Sequence, residues 1–353
     1  MAALGDTLPG LREMWAEMEH APAIVQPSDF WHALNERNVS QLDDEGFAHF
    51  KRTINQNYFG WIPHTLRDHQ LLTMAISWMR HPVARALSAR LGDLSTFEAG
   101  ADRANPFASM RARRIHELYL ALLWEHVGRR DRRGILDRLE EPELGDPVAA
   151  RYRGRRISQD LGNSVFELYS ATAALPGGEL GPRGVLELGG GYGRVAWVFL
   201  EEFPHARYVL CDIPPALAVA QRYLTELFPD RRAFRFRPFD DGALVAEELA
   251  QAQIAFLTPN QLALLDPLDV ELFVNISSLH EMRPEQIAYY LTEADRHTRG
   301  FAYLKQWRSW HNPEDDVVIA REDYPIPQRW RELHSRIHPI QRAFFDALYR
   351  VPA

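Results

Sequence analysis

A short apolar strand followed by a glycine-rich turn and a helix constrains this chain more than any other feature. Residues 185–193 read Val-Leu-Glu-Leu-Gly-Gly-Gly-Tyr-Gly, and an apolar stretch of helical character follows at 194–200. Glycine adopts positive φ angles without strain and lets a ligand approach the backbone, while the free N–H groups of a helix N-terminus favour anionic groups. The segment therefore predicts a nucleotide-type binding loop at the end of a buried strand.

The spacing within this loop narrows the class of ligand. An acidic residue and alternating glycines follow the pattern acidic-x-G-x-G-x-G: Glu187, Gly189, Gly191 and Gly193. The dinucleotide fingerprint G-x-G-x-x-G would need glycine at position 194, where Arg194 stands. An NAD-dependent oxidoreductase is therefore disfavoured.

The composition is that of an ordinary soluble globular protein. The 353 residues are 46% hydrophobic and 25% charged, enough for one large core or two smaller ones. Cys211 is the only cysteine, which excludes an internal disulfide framework. The sequence has neither a signal-peptide pattern near Met1 nor an apolar run long enough to span a membrane. We expect a cytoplasmic protein without a membrane partner. A homo-oligomer is compatible with this expectation.

Charge argues against a general nucleic-acid binder, because the formal net charge is −8. Arginines nevertheless cluster at 111–114, 129–133 and 151–156. Two interpretations stay open: solvated helix faces with a linker, or a basic rim that attracts an anionic substrate.

The chain changes character near residue 157. Residues 10–150 show helical periodicity broken by prolines, which predicts an N-terminal helical cap or lid domain over 1–157. The remainder, 158–353, alternates apolar strands with helices, which predicts a doubly wound α/β sheet with ligands at the carboxyl ends of its strands. Expected strands lie at about 184–188, 207–211, 253–257, 270–276 and 301–306. The segment 232–239 reads as a further strand or an insertion, and the tail from 307 as irregular with a final strand near 344–350.

Asp212 follows the second of these strands directly. A carboxylate at this point in an adenosyl-binding sheet can accept hydrogen bonds from both ribose hydroxyls. The alternative role is that of an N-cap for the helix after Pro214-Pro215.

Taken together, the glycine loop and Asp212 resemble the class I S-adenosyl-L-methionine (SAM)-dependent methyltransferases, whose domain is a Rossmann-like, mostly parallel sheet of seven strands. A narrower resemblance, to the bacterial sugar O-methyltransferase family, covers nearly the whole chain. Its motifs are Phe30-Trp31, 50–52, 55–61, Asp160, Asn163-Ser164, 189–193, 212–214, 275–278, Glu281-Met282 and Asp323-Tyr324. The resemblance implies SAM as the cofactor and a small-molecule acceptor.

The resemblance also implies which residues contact SAM, from its methionine end through the ribose to the adenine and the sulfonium. These are Glu187, Gly189, Gly190, Gly191, Gly193, Asp212, Ile213, Leu257, Thr258, Asn275 and Ser277. The glycines would hold the methionine end and Asp212 the ribose.

Methyl transfer to oxygen needs the acceptor aligned with the methyl group and a base for the hydroxyl proton. Just beyond the fourth strand the sequence offers His280 and Glu281. An imidazole with an ordinary pKa near 6.5 suits a general base at neutral pH, which favours His280, with Glu281 as the second candidate. Positioning alone, without a base, is the third possibility.

The motif at 55–61 combines aromatic rings and amides. It reads as a packed helix end or as a lid in which Tyr58 or Trp61 closes over SAM or the substrate, with Asn163 on the substrate side. No group of side chains suggests a metal site.

The sequence thus predicts a SAM-dependent O-methyltransferase of small molecules, a sugar or a secondary metabolite. Other outcomes stay open: methylation of nitrogen or carbon, intramolecular cyclisation of SAM with release of methylthioadenosine, or a non-catalytic SAM-binding assembly protein.

Overall fold

A computed structural model describes residues 8–44, 46–54, 62–63, 65–79, 109–175, 181–312 and 316–352. The described N-terminal part is mostly helical, as predicted. Its helices are α1 (Leu11–Glu19), α2 (Asp29–Asp44), α3 (His69–Met79), α4 (Met110–Gly128) and α5 (Ile135–Arg138). A small antiparallel hairpin follows them, made of β1 (Ala149–Tyr152) and β2 (Arg155–Ser158).

The rest of the chain alternates strands and helices. The helices are α6 (Gln159–Ala171), α7 (Arg194–Glu202), α8 (Ala216–Leu227), α9 (Ala246–Gln251), α10 (Pro259–Leu264) and α11 (Pro284–His297). The strands are β3 (Gly184–Leu188), β4 (Arg207–Cys211), β5 (Ala233–Phe234), β6 (Ile254–Leu257), β7 (Val270–Ile276), β8 (Thr298–Trp307), β9 (Ser309–Asn312), β10 (Val317–Ala320), β11 (Arg331–Ile337) and β12 (Phe344–Arg350).

Eight of these strands form one sheet in the order β11-β12-β8-β7-β3-β4-β6-β5. The six strands from β8 to β5 pair in parallel, whereas β12 runs antiparallel to both of its neighbours. This confirms the predicted α/β class with a large, mostly parallel sheet. Seven strands were expected; the segment at 232–239, left open from the sequence, supplies the edge strand β5.

The order of the strands reverses beside β3. From β3 the chain proceeds to β4 on one side and later to β7 on the other, so that β3 has both as parallel neighbours. A crevice opens at such a switch point, outside the carboxyl ends of the strands.

The C-terminal tail is more regular than predicted. It contains the hairpin of β9 and β10 and the strand β11, besides the expected β12. The prediction missed β11 because this edge strand buries none of its residues and so lacks apolar alternation.

The helical region and the sheet share a core. Leu11 and Met14 of α1 and Tyr119 of α4 belong to the same buried cluster as Val185 of β3 and Leu217 of α8. Contiguous apolar burial of this kind couples the stability of the packed parts. None of the helices in the described ranges is both long and apolar enough to cross a membrane.

Candidate active site

A cleft lies at the carboxyl ends of the central strands and holds about 960 Å³ of empty space, including its open mouth. Its lining includes many residues that the sequence singled out: Glu187, Gly189, Gly190, Gly191, Asp212, Ile213, Ser277 and Glu281. The crevice expected at the switch point is therefore present, and seven of the eleven candidate cofactor residues line it.

Gly189 and Gly191 of the loop each lack a side chain for a different structural reason. Gly189 has a φ of 70°, and a Cβ there would lie 2.3 Å from the Oγ of Ser278, so the two segments can touch only because Gly189 has no side chain. Gly191 has a φ of 58°, and a Cβ there would meet no atom within 4 Å. The backbone of Gly191 is therefore open to a ligand in the cleft.

The Asp212 carboxylate joins the end of β4 to the glycine loop. Its Oδ2 accepts a hydrogen bond from the N–H of Gly191 at 2.7 Å, and its Oδ1 accepts one from the N–H of Ile213 at 2.7 Å. Burial raises the pKa of Asp212 to about 7, although the two N–H donors oppose the shift and the charge of Glu281 adds to it. A carboxylate has about four lone-pair sites, so Asp212 keeps accepting capacity for a ligand in the cleft.

Glu187 forms the floor of the same loop. Its Oε2 accepts a hydrogen bond from the Tyr208 hydroxyl at 2.8 Å, and it lies 2.9 Å from the position of a Cβ at Gly190. Burial raises the pKa of Glu187 to about 7, against the hydrogen bond from Tyr208. Glu187, the acidic residue that begins the motif, therefore supports the turn and also lines the cleft.

Arg194 occupies the position at which a dinucleotide-binding loop would have its third glycine, and its side chain makes buried contacts there. Its Nη1 donates to the Ser164 hydroxyl at 2.8 Å and to the Glu167 carboxylate at 2.5 Å, both on α6. The other oxygen of Glu167 accepts from the Nζ of Lys305 on β8 at 2.6 Å. Arg194, Glu167 and Lys305 are all buried, so a charged network ties the first turn of α7 to α6 and the sheet.

The candidate bases differ in their placement. Glu281 lines the cleft and is 13% exposed, whereas His280 is 1% exposed and lies behind it, among the rings of Trp307, Trp310 and Phe344. The Nε2 of His280 is 3.5 Å from the Oε1 of Glu281. Burial raises the pKa of Glu281, and His280 opposes that shift.

A chain of buried amides continues from His280 to the glycine loop. The Nδ1 of His280 is 3.2 Å from the Oε1 of Gln306, and the Nε2 of Gln306 donates to the Oδ1 of Asn275 at 2.5 Å. The Nδ2 of Asn275 donates to the carbonyl of Leu188 at 2.8 Å and to the Ser278 hydroxyl at 2.7 Å. Asn275 does not line the cleft. Its hydrogen bonds to Leu188 and Ser278 support the loop from beneath.

Ser277 follows β7 with a φ of 59°. The left-handed region costs a residue with a Cβ roughly 1–2 kcal/mol, and the hydrogen bond from its N–H to the Lys305 carbonyl at 2.8 Å helps to hold it there. Such strain is concentrated at functional sites.

Other predicted residues lie outside the lining. Gly193 is the N-cap of α7, and Leu257 and Thr258 are buried at the end of β6, where Pro259 lines the cleft in their place. Asn163 is fully buried on α6, and neither atom of its amide has a hydrogen-bond partner among the described residues. Tyr58 and Trp61 fall outside the described residues.

The sequence analysis missed one wall of the cleft. Residues 25–28 and Trp31 line it from the N-terminal region. This segment is held by the start of α11: the Nε2 of Gln286 donates to the carbonyls of Ile24 and Gln26, and the Ser28 hydroxyl donates to the Glu281 carbonyl. Phe30-Trp31 belongs to the quoted motif, but nothing in its local pattern predicts contact with residues about 250 positions later.

Several arginines in and near the clusters pair with nearby carboxylates. Pairs include Arg113 and Arg114 with Glu117, Arg133 and Arg138 with Glu202, Arg153 with Glu125, and Arg156 with Glu143. Most of these arginines are exposed, which favours solvated faces over a basic rim. In the described ranges, no three His, Cys, Asp or Glu side chains gather as metal ligands.

Comparison with known proteins gives loose structural likenesses only. No protein-family model and no curated protein matches the chain. Solved structures that it resembles include the N-methyltransferase NodS from Bradyrhizobium japonicum WM9, at 13% identity and a TM-score of 0.36 over 54% of this chain and 95% of that one. Another is the Burkholderia thailandensis 1,6-didemethyltoxoflavin-N1-methyltransferase with bound S-adenosylhomocysteine, at 13% identity and a TM-score of 0.36 over 55% and 79%.

The match to the mitomycin 7-O-methyltransferase MmcR covers 80% of this chain and 94% of that one, at 12% identity and a TM-score of 0.36. Likenesses this loose assign no role to individual residues. The function is therefore argued from the geometry of the cleft.

Proposed function

We propose that this protein is a SAM-dependent methyltransferase. The observation that carries the proposal is Asp212, which directly follows β4, accepts a hydrogen bond from the Gly191 N–H and keeps lone pairs for a ligand beside an open glycine backbone. A carboxylate in this place suits a ribose diol, because it can accept from two hydroxyls at once. Because Gly191 has no Cβ, the loop leaves open space beside its backbone. This space suits the methionine end of SAM.

The charge of the cleft supports a cationic donor. Three carboxyl groups line it, Glu187, Asp212 and Glu281, while Arg194 and Lys305 share the carboxylate of Glu167. The negative potential of such a concave wall favours the sulfonium of SAM over the neutral sulfur of S-adenosylhomocysteine. Loss of that charge after transfer would then assist product release.

We propose an oxygen of a small molecule, a sugar or a secondary metabolite, as the methyl acceptor. SAM, when bound, supplies a methyl group on a cationic sulfur for in-line displacement. Glu281 lies at the cleft wall with a raised pKa, so it is the group best placed to take a hydroxyl proton, with His280 as its partner behind it. The order of the two candidate bases is thus the reverse of the sequence expectation.

We also propose that residues 1–157 act as a cap on the methyltransferase domain at 158–353. The supporting observation is that residues 25–28 and Trp31 complete the cleft wall. A cap of this kind excludes water from a reacting sulfonium and selects the acceptor.

Calorimetry with SAM and S-adenosylhomocysteine tests the donor. We expect saturable binding of both, with SAM the tighter, and no measurable NAD binding. The acceptor is tested by incubating the protein with SAM and a panel of hydroxylated small molecules, followed by mass spectrometry. A gain of one methyl group supports the proposal, whereas methylthioadenosine formed without an acceptor would instead indicate cyclisation of SAM.

Variants assign the base. Glu281→Gln should bind SAM nearly as the wild type does and lose most turnover, and His280→Ala should behave similarly but less severely. Wild-type turnover in both variants would leave positioning alone as the mechanism, whereas wild-type turnover in Glu281→Gln only would return His280 to the role of base.

A further inference from the structure

The chain has only two lysines, Lys51 and Lys305, among its 40 lysine and arginine residues. Both are buried, at 2% and 0% exposure, so every other residue of this kind, on the surface or within, is an arginine. An ammonium is a compact point charge, whereas a guanidinium is a larger planar group with a fixed geometry. A buried lysine in so arginine-rich a chain therefore indicates a site shaped for an ammonium.

Three aromatic rings form a cage around Lys51, together with one carboxylate. Its Nζ lies 4.7 Å from the ring centroid of Tyr223, 5.3 Å from that of Tyr192 and 6.0 Å from that of Phe50. The rings contact one another edge to face, with centroids 5.2–5.6 Å apart. Nζ also donates to the Glu141 carboxylate at 2.5 Å and to the Tyr223 hydroxyl at 3.2 Å. Because water is excluded, the attraction between this ammonium and the rings is stronger than at an exposed site.

Tyr192 connects the cage to the cleft. It lies in the glycine loop between Gly191 and Gly193, is 5% exposed and lines the cleft. Burial raises the pKa of Tyr192 well above its ordinary value, so the hydroxyl keeps its proton and donates to the Oδ2 of Asp160 at 2.8 Å. The side chain is therefore held at its ring by Lys51 and at its hydroxyl by Asp160.

Both supports of Tyr192 come from outside the glycine loop. Glu141, which binds Lys51, also accepts from the Ser158 hydroxyl at 2.6 Å, and Ser158 is the N-cap of α6. Asp160 lies in the first turn of the same helix. The loop, the start of α6 and the N-terminal segment that carries Lys51 thus meet at one buried group of charges.

We propose that Lys51 is a positioning residue that holds the glycine loop, through Tyr192, in the conformation that receives SAM. Its effect on SAM rests on the proposed methyltransferase function, whereas its hold on the loop does not. Within 189–193 Tyr192 is the only residue with a side chain, and glycines give the backbone little stiffness of its own. Tyr192 is therefore the point at which the rest of the fold can hold the loop.

The wild type alone gives the first test. Selective labelling of the lysine Cε methylene groups gives two signals, because the full chain has two lysines. Labelled tyrosine rings should show nuclear Overhauser contacts to Lys51, whereas the ring over Lys305 is that of Phe344. A spectrum in which neither lysine contacts a tyrosine ring overturns the proposal before any variant is made.

Lys51→Met removes the ammonium and keeps a side chain of similar length. Hydrogen exchange of the ligand-free protein, read by mass spectrometry, follows the peptide that contains 189–193. The N–H groups of Gly189, Gly191 and Gly193 are all hydrogen-bonded in the wild type. We expect this peptide to exchange about 10-fold faster than in the wild type, and calorimetry to show SAM bound about 10-fold more weakly. The exchange of β8 should change only as far as global stability does.

A second variant separates this role from general stability. Lys51→Met leaves the Glu141 carboxylate buried without its cation, which destabilises the fold by itself. Lys51→Met combined with Glu141→Gln removes both charges and keeps an oxygen that accepts from Ser158. We expect the Tm to recover while the loop still exchanges fast and SAM still binds weakly. If Lys51→Met alone does not fold, this double variant carries the test. Recovery of the loop and of SAM affinity together with the Tm would overturn the proposal.

Arg336 supplies the matched control. Its guanidinium pairs with the fully buried Asp346 at 2.9 Å and 3.0 Å, on strands β11 and β12, which do not pair with β3. Arg336→Met therefore also leaves a buried carboxylate without its cation. We expect it to lower the Tm while SAM affinity stays that of the wild type and the loop exchanges no faster than β8 does. A loop loosened selectively in this control as well would overturn the proposal.

Calorimetry on the same samples separates the two hypotheses. A loop that loosens in the lysine variants of a protein that binds no SAM would refute the proposed function and leave Lys51 as the residue that holds the loop. SAM binding by the wild type, with wild-type loop exchange or wild-type SAM affinity in the double variant, would refute only the role of Lys51.

Discussion

The ionisation of Asp212 should control SAM affinity. Burial raises its pKa from the ordinary 3.8 to about 7, and only the ionised carboxylate can accept from two ribose hydroxyls while it accepts the Gly191 N–H. Binding therefore requires a deprotonated Asp212. Below the raised pKa, each pH unit costs about 1.4 kcal/mol, so affinity at pH 5 should be roughly 100-fold weaker than at pH 8.

Asp212→Asn removes this dependence. The asparagine keeps one acceptor oxygen but brings an amino group to face either an N–H or a ribose hydroxyl. Loss of one hydrogen bond to a charged group is worth about 1.5–3 kcal/mol, so we expect affinity at pH 8 to fall about 10- to 100-fold. The variant's affinity should then change much less than that of the wild type between pH 8 and pH 5.

Calorimetric titrations with SAM at pH 5, 6, 7 and 8 measure both effects. Glu187 is the necessary control, because its pKa is also raised to about 7 and it lines the same cleft. Glu187→Gln should retain the pH dependence of the wild type. The reasoning is refuted if Asp212→Asn binds SAM with wild-type affinity, or if the pH dependence disappears in Glu187→Gln instead.

The same carboxyl affects the stability of the ligand-free protein with a definite sign. Its folded pKa lies above its unfolded pKa, so the folded state binds the extra proton and gains stability as the pH falls from about 7 towards 4. Thermal unfolding should show the Tm of the ligand-free wild type rising relative to that of Asp212→Asn as the pH falls from 8 to 5. A constant difference in Tm would contradict the raised pKa.

Two further substitutions test the loop and the buried network. Gly191→Ala should weaken SAM binding at least 10-fold in calorimetry. Gly154 is the control, because it has a φ of 82° and equally open space around a Cβ. Gly154→Ala should cost about 1–2 kcal/mol of stability, as Gly191→Ala does, without changing SAM affinity. Equal affinities would show that no ligand approaches the Gly191 backbone. Glu167→Gln leaves Arg194 and Lys305 buried without their carboxylate, so urea unfolding should report a loss of about 3–5 kcal/mol. A loss below about 1 kcal/mol would mean that the network relaxes at little cost.

The sheet was predictable from the sequence because its signal is local. The strands at 184–188, 207–211 and 270–276 are short, mainly apolar runs, and the observed strands have these bounds. The hairpin in the tail was not predictable in this way, because β9 and β10 have only four residues each and bury few of them.

The site was predictable only where a motif specifies the backbone. Asp212 and the glycines reach the cleft because strand ends and a tight turn determine their placement. The burial of His280 depends on Trp307, Trp310 and Phe344, which follow it by 27 or more positions, and no local pattern in the sequence reports such packing. The place of residues 25–28 in the cleft wall was missed for the same reason.

The docking of residues 24–28 on the start of α11 has a consequence for biosynthesis. These residues are synthesised before their partners Glu281 and Gln286, which follow them by about 250 positions or more. Contacts of such sequence separation form late and at a high entropic cost. A nascent chain can therefore complete the glycine loop before it has both walls of the cleft, so a ligand that needs both walls can stabilise only a chain that already extends through α11.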